Sequence, residues 1–299
     1  MRGCFVVVDI AVAGSRGPRD EQTKVSRVEW RRVAVADAAL EVGVRCSGEP
    51  VVLIQTALTA DEFSPLASQF ELQDPYQVIM YHRRGYAGSS PVQGPGSIER
   101  DALDCQQLLT ALDIEGAHVA GVSYSAAVAL QLAATAPSCV HTLTLIEPPP
   151  VHVPSADEFF AANVKLNEDY RQHGSASALD RFLARLIGPN WRTEVEHHVP
   201  GGTAQMEQDA GTFFAIDMPA LLTWRFLAED AQRIRQPVLY IGGSESGPLF
   251  AEVRELILNW LPQAQDVVLE GADHSLVITH PAQVAAVMKA FLSDHPIGA

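Results

Sequence analysis

The pentapeptide Gly121-Val122-Ser123-Tyr124-Ser125 places a hydroxyl between small residues, after an apolar run and before an Ala- and Leu-rich helical pattern. It closely matches the G-x-S-x-G elbow, in which a sharp strand-to-helix turn lifts a serine clear of a sheet. The requirement is steric. The serine sits at strained backbone angles, so residues two positions away must be small enough for strand and helix to touch. Here the second small position is Ser125 in place of glycine, followed by Ala126 and Ala127. The start of the next helix also offers partial positive charge to an oxyanion. A serine there is equally common as a plain helix N-cap, so a partner is needed. Gly271-Ala272-Asp273-His274 supplies one, after an apolar run and before the closing helix. A serine hydroxyl is a poor nucleophile at neutral pH unless a base takes its proton. Ser123 as nucleophile and His274 as base suit two-step acyl transfer, with a carboxylate orienting the imidazole. His82, His118 and His141 have a weaker claim, and His197-His198 lack a third ligand for a metal.

The elements that must position these groups read as follows. Arg27–Ala36 and Ala39–Val44 carry partly alternating patterns that suggest an antiparallel pair of strands. Short, continuously apolar, β-branched runs are expected as strands buried on both faces: Pro50–Ile54, Gln77–Tyr81, Ala117–Val122, Val140–Ile146, Pro237–Ile241 and Asp266–Leu269. Helical patterns at Ser97–Leu112, Tyr124–Ala136, Leu249–Leu261 and Pro281–Leu292 fall between or after them. This alternation predicts an α/β fold with a doubly wound, mostly parallel sheet flanked by helices. It fails over 148–235, where Ala156–Gln172, Ala176–Leu186 and Met218–Ile234 look helical and no strand is evident. We therefore expect residues 28–147 and 236–299 to form the core, and 148–235 to form a helical cap, or lid, inserted after the sixth strand. Residues 1–27 read as a flexible N-terminal extension, turn-rich over 14–27. Its start, with one Arg and an apolar stretch broken by Asp9, only weakly resembles an export signal.

Together these patterns resemble the α/β-hydrolase superfamily of serine hydrolases over roughly residues 28–293. Tyr81-His82-Arg83-Arg84-Gly85-Tyr86-Ala87-Gly88-Ser89 is similar to that family's D-x-R-G-x-G-x-S loop, with His82 where aspartate is usual. Val52-Leu53-Ile54-Gln55-Thr56-Ala57 stands where the family has a strand ending in His-Gly, both replaced here by Gln55 and Thr56. The resemblance implies an oxyanion hole from the backbone N–H groups of Tyr124 and Ala57, with Leu58 the alternative in another loop register. For the acid it implies either the end of the strand after the nucleophile helix, which is Glu147, or the loop after Pro237–Ile241. An ungapped count in that loop lands on Ser246, so Glu245 is the alternative there. Glu147 is the preferred acid. Serine at the elbow disfavours the epoxide hydrolases and haloalkane dehalogenases of similar layout, which use aspartate.

Composition narrows the chemistry. The 299 residues are 47% hydrophobic and 19% charged, an ordinary globular balance. A net charge of −15 argues against nucleic acid and favours neutral or cationic small molecules. Cys4, Cys46, Cys105 and Cys139 are widely spaced, which suggests reduced thiols rather than a disulfide framework or zinc site. No apolar run is long enough to span a membrane. The expected protein is a cytoplasmic serine hydrolase, carboxylesterase-like, acting on a small, largely apolar ester, lactone or thioester. It needs neither cofactor nor metal, and its partner is that small-molecule substrate, with a homodimer left open. C–C bond hydrolysis by the same triad, and a weakly active or ligand-binding protein of this fold, are the alternatives. Activity should rise with pH as His274 loses its proton.

Overall fold

Alternation of β-branched runs with helical patterns builds an eight-stranded sheet in the computed structural model, which describes residues 28–70, 74–186 and 188–298. The strands are β1 (Glu29–Val35), β2 (Ala38–Cys46), β3 (Glu49–Ile54), β4 (Tyr76–His82), β5 (Ala117–Val122), β6 (Val140–Ile146), β7 (Val238–Gly243) and β8 (Ala264–Leu269). Their spatial order is β1-β2-β4-β3-β5-β6-β7-β8. β2 pairs antiparallel with β1 and with β4, and every other pairing is parallel. The expected extension 1–27 lies outside the described residues.

The helices are α1 (Ser64–Ala67), α2 (Ile98–Ala111), α3 (Tyr124–Thr135), α4 (Ala156–Leu186), α5 (Trp191–His198), α6 (Gly202–Thr212), α7 (Met218–Thr223), α8 (Ala228–Ala231), α9 (Pro248–Trp260), α10 (Leu276–Thr279) and α11 (Pro281–Ser293). Successive residues of a strand face opposite sides, so β3 feeds two cores. Val52 and Ile54 pack with Leu108 and Val128 from α2 and α3, whereas Val51 and Leu53 pack with Val284 and Phe291 from α11. Ser97 caps α2 by accepting the Arg100 N–H at 3.1 Å, as its place before the helical pattern predicts.

Between β6 and β7 the chain runs through α4 to α8, with no strand among the described residues. α4 is broken at Gly174, whose φ of 78° an L side chain rarely adopts. The single helix expected at Met218–Ile234 is instead two short ones, α7 and α8, parted by extended backbone at Trp224 and Leu227. Trp224 and Phe226 are buried between them, so burial of two large rings overrides helix continuity. Helices α5 and α6 are not among the expected ones: they are short and abut Gly188-Pro189 and Pro200-Gly201-Gly202, whose Gly and Pro read as breaks. β8 departs too. It is an edge strand paired only with β7 among the described residues, and Val268 is exposed, so it is not buried on both faces.

The chain order reverses direction beside β3: β4 lies on one flank and β5 on the other. Loops leaving the C-terminal ends of β3 and β5 therefore diverge, opening the crevice that parallel sheets offer to ligands.

Candidate active site

Ser123 lies between β5 and α3 with φ 50° and ψ −119°, a strained conformation that its small neighbours permit. A Cβ on Gly121 would stand 2.3 Å from the Ser125 carbonyl oxygen and 2.7 Å from the Ala126 nitrogen. Both are backbone atoms that cannot rotate away. We expect Gly121→Ala to cost about 2–3 kcal/mol, read as a lowered denaturation midpoint; an unchanged midpoint would refute this close approach. Ser125 fits in place of glycine because its hydroxyl is used: it donates to Val122 O at 3.0 Å and accepts from Val122 N at 2.9 Å.

The sheet's hydrogen bonding continues past the strand ends and positions Glu147. Ser123 N donates to Ile146 O at 3.0 Å, and Glu147 N donates to Ile241 O at 3.2 Å. Glu147 turns out of β6 with φ 42° and is 1% exposed. One of its carboxylate oxygens accepts the Gly243 N–H at 2.8 Å; the other lies 2.7 Å from His274 Nδ1. Phe250 of α9 stacks on the His274 ring with centroids 4.1 Å apart, fixing its plane. Gly243 is needed here, since a Cβ on it would meet the Ala272 carbonyl oxygen of the His274 loop at 2.2 Å. The alternative acid, Glu245, is exposed and makes only a backbone bond, to Ala272 O. Ser123 Oγ has no hydrogen-bond partner among the described residues, and both it and His274 border one cavity. Contacts of this kind are often open until substrate binds.

The loop after β3 is held by groups that replace the usual His-Gly. Thr56 Oγ1 donates to Val122 O at 3.0 Å, fastening the loop to the strand that ends in Ser123. Gln55 Oε1 accepts Arg83 N at 2.6 Å. The Leu58 N–H is already committed to the Tyr86 hydroxyl at 2.9 Å. Ala57 and Tyr124, the other two residues expected to offer backbone N–H groups, both line the cavity.

Sequence reasoning missed the buried charge network beneath this loop. Arg83, 2% exposed, donates to Asp101 at 2.7 Å and to Asp217 at 2.6 and 3.2 Å. Its guanidinium also reaches Gln55 O at 3.0 Å and Thr56 O at 3.3 Å, and lies 4.3 Å above the Tyr124 ring. Tyr86 donates its hydroxyl to Asp217. Burial raises the Asp101 carboxyl above its ordinary pKa, opposed by Arg83 and reinforced by Asp217. The signal was a lone acid inside the apolar run Phe213-Phe214-Ala215-Ile216-Asp217-Met218. Asp217 ends a π-helical turn, Phe213–Asp217, and the local widening of such turns often marks functional positions. His82, which stands where the family has aspartate, bridges Glu41 at 2.9 Å and Asp61 at 3.2 Å.

The cavity has a volume of about 290 Å³. Phe159, Phe182 and Phe213 of the segment between β6 and β7 line it, whereas Trp191, Phe214 and Phe226 are packed into the core. One wall residue is ionisable and was not foreseen: burial alone pushes the Glu62 carboxyl from 4.5 up to about 8. The sign of the consequence follows. Between those two values the unfolded chain is ionised while the folded one keeps its proton, so stability falls as pH rises through this window. Glu62→Gln should therefore gain about 4 kcal/mol on wild type between pH 4 and pH 8.5. Denaturant melts at the two pH values measure this, and equal differences at both would contradict it. Among the described residues, no group of three or more His, Cys, Asp or Glu could hold a metal ion, and no helix is long and apolar enough to cross a membrane.

Comparison with known proteins meets this geometry. The chain is 29% identical over 231 residues to "Putative carbamate hydrolase RutD" of Pseudomonas syringae pv. syringae (strain B728a), covering 74% of this chain and 85% of that one. It is 25% identical over 265 residues to Esterase YbfF of Escherichia coli (strain K12), covering 83% and 94%. Among solved structures, a thermophilic esterase from Thermogutta terrifontis superposes with a TM-score of 0.72 at 21% identity, over 90% of this chain and all of that one. The alpha/beta hydrolase fold family matches residues 50–281. With the sheet order and the strained turn at Ser123, this makes the chain a hydrolase that belongs to the α/β-hydrolase fold family.

Proposed function

We propose that this hydrolase cleaves small, largely apolar ester-type substrates (carboxylesters, lactones or thioesters) through an acyl-enzyme on Ser123. The observation that carries the reading is the His274–Glu147 bond of 2.7 Å at the wall of the cavity that Ser123 also borders. In the first step His274 Nε2 takes the proton of Ser123 Oγ as that oxygen attacks the carbonyl. Glu147 keeps the other ring nitrogen protonated and stabilises the imidazolium that forms. The carbonyl oxygen, now an anion, is received by the N–H groups of Ala57 and Tyr124. The imidazolium then returns its proton to the leaving group, and water deacylates Ser123 by the same path in reverse. The helical segment between β6 and β7 serves as a cap that excludes bulk water while Phe159, Phe182 and Phe213 hold the apolar part of the substrate. Relatives named as ester and carbamate hydrolases support an acyl carbonyl as the reacting group.

An organophosphonate probe tests this directly. It should label wild type once per chain, at Ser123, and leave Ser123→Ala unlabelled. Absence of labelling in a folded wild type that still binds small apolar ligands would instead favour a binding protein built on this fold.

A further inference from the structure

Glu62 is unused by the mechanism above, yet it stands on the wall of the same cavity. It lies on the turn between β3 and α1, four residues past Leu58, where its N–H donates to Thr59 O. Among the described residues its carboxyl makes no hydrogen bond and no ion pair. Glu62 is half-buried, so its carboxyl opens onto the cavity rather than being sealed in the core, and beside apolar groups it is poorly solvated when ionised. Among the described residues the wall otherwise offers no Lys, Arg or second acid; its other titratable side chains are His274 and Tyr124, and burial keeps the Tyr124 phenol protonated. A substrate anion would therefore find no permanent positive charge in the cavity, whereas a cation finds one counter-charge. Asp61, next in sequence, is engaged with His82 and does not line the cavity.

We propose that Glu62 is the specificity carboxylate of this site, receiving an amino group borne by the substrate, so that amine-bearing esters are taken in preference to uncharged ones. This rests on the hydrolase reading and narrows its substrate class. The proton account is simple. In the unliganded protein at pH 7 the carboxyl holds its proton, since burial pushes it up to about 8. An arriving ammonium favours the ionised form, so the proton leaves to solvent and one carboxylate–ammonium pair forms. Binding should release a proton at pH 7 and none at pH 9.

The test compares p-nitrophenyl 6-aminohexanoate with p-nitrophenyl heptanoate, whose acyl chain is the same length but carries a terminal methyl. Wild type should show a kcat/KM ratio of about ten or more in favour of the amine. In E62Q that ratio should fall to about one, and E62D should recover part of it. The ratio is internal to each protein, so a partly inactive preparation does not disturb it. Calorimetry of hexylamine binding in two buffers of different ionisation enthalpy supplies the second readout. If wild type hydrolyses heptanoate with no preference for the amine, or E62Q keeps the wild-type ratio, the Glu62 assignment is wrong and the hydrolase reading stands. If neither ester is cleaved, yet hexylamine binds wild type with proton release and E62Q does not bind it, the hydrolase reading is wrong and the amine site stands. If neither ester is cleaved and hexylamine does not bind, both are wrong.

Discussion

Glu147→Gln is expected to lower kcat by about three to four orders of magnitude, with KM little changed and Glu245→Gln within about twofold of wild type. The reason is the number of donors aimed at the carboxylate. His274 Nδ1 and the Gly243 N–H each face one of its oxygens, at 2.7 and 2.8 Å. A carboxylate accepts both. An amide has one oxygen, so whichever way glutamine is turned, an NH₂ group faces a donor. With the NH₂ towards His274, the ring must flip its tautomer and present a protonated nitrogen to Ser123, which can no longer act as base. With the NH₂ towards Gly243, the backbone that carries β7 into its loop loses a buried bond and moves. The first outcome removes the base; the second keeps the tautomer but withdraws the negative charge that stabilises the imidazolium and shifts the loop beside it. Neither alters the apolar wall of the cavity, hence an effect on kcat rather than KM. A panel of p-nitrophenyl esters of increasing chain length measures it. Retention of more than a tenth of wild-type kcat in Glu147→Gln, or a large loss in Glu245→Gln, would overturn the assignment of the acid.

Asp217→Ala should destabilise the fold by about 3 kcal/mol and lower kcat at least tenfold. Asp217 is 1% exposed and receives three donors: two from the Arg83 guanidinium and the Tyr86 hydroxyl. Alanine leaves all three buried without that acceptor. Arg83 keeps Asp101 at 2.7 Å, so the site stays charge-compensated and the cost falls short of a wholly orphaned cation. The rate falls because the same groups hold the loop after β3: Tyr86 accepts from Leu58 N, and Arg83 reaches Gln55 O and Thr56 O. On the proposed mechanism, loosening them displaces the Ala57 N–H from the place where negative charge develops. Denaturant unfolding and steady-state kinetics on one preparation read both effects. A loss below about 1 kcal/mol with unaltered kcat would show that the network is not the support described here.

Much of the fold was legible because its causes are local. Gly121 and Ser125 around Ser123 announce the strained turn, since only small residues permit that approach of strand to helix. Continuous β-branched runs mark β3 to β7, which are covered on both faces. β8 misled for the same local reason: its apolar run reads as interior, although its position at the sheet edge exposes it. Helices α5 and α6 are short and bounded by Gly- and Pro-containing breaks, so the local signal there reads as loop until the segments they pack against are in place.

The sequence by itself determined the nucleophile candidate, its turn, the alternating architecture and the short list of acids. Local backbone sterics and hydrophobic period decide those, and both are written in neighbouring residues. Only the tertiary structure decided that Glu147 rather than Glu245 meets His274, that Leu58 is already occupied by Tyr86, and that Asp217 reaches Arg83 across 134 positions of chain. Those are pairings between side chains from different elements. They depend on strand order and loop direction, which bring together groups far apart in sequence, and no local pattern encodes the distance between them.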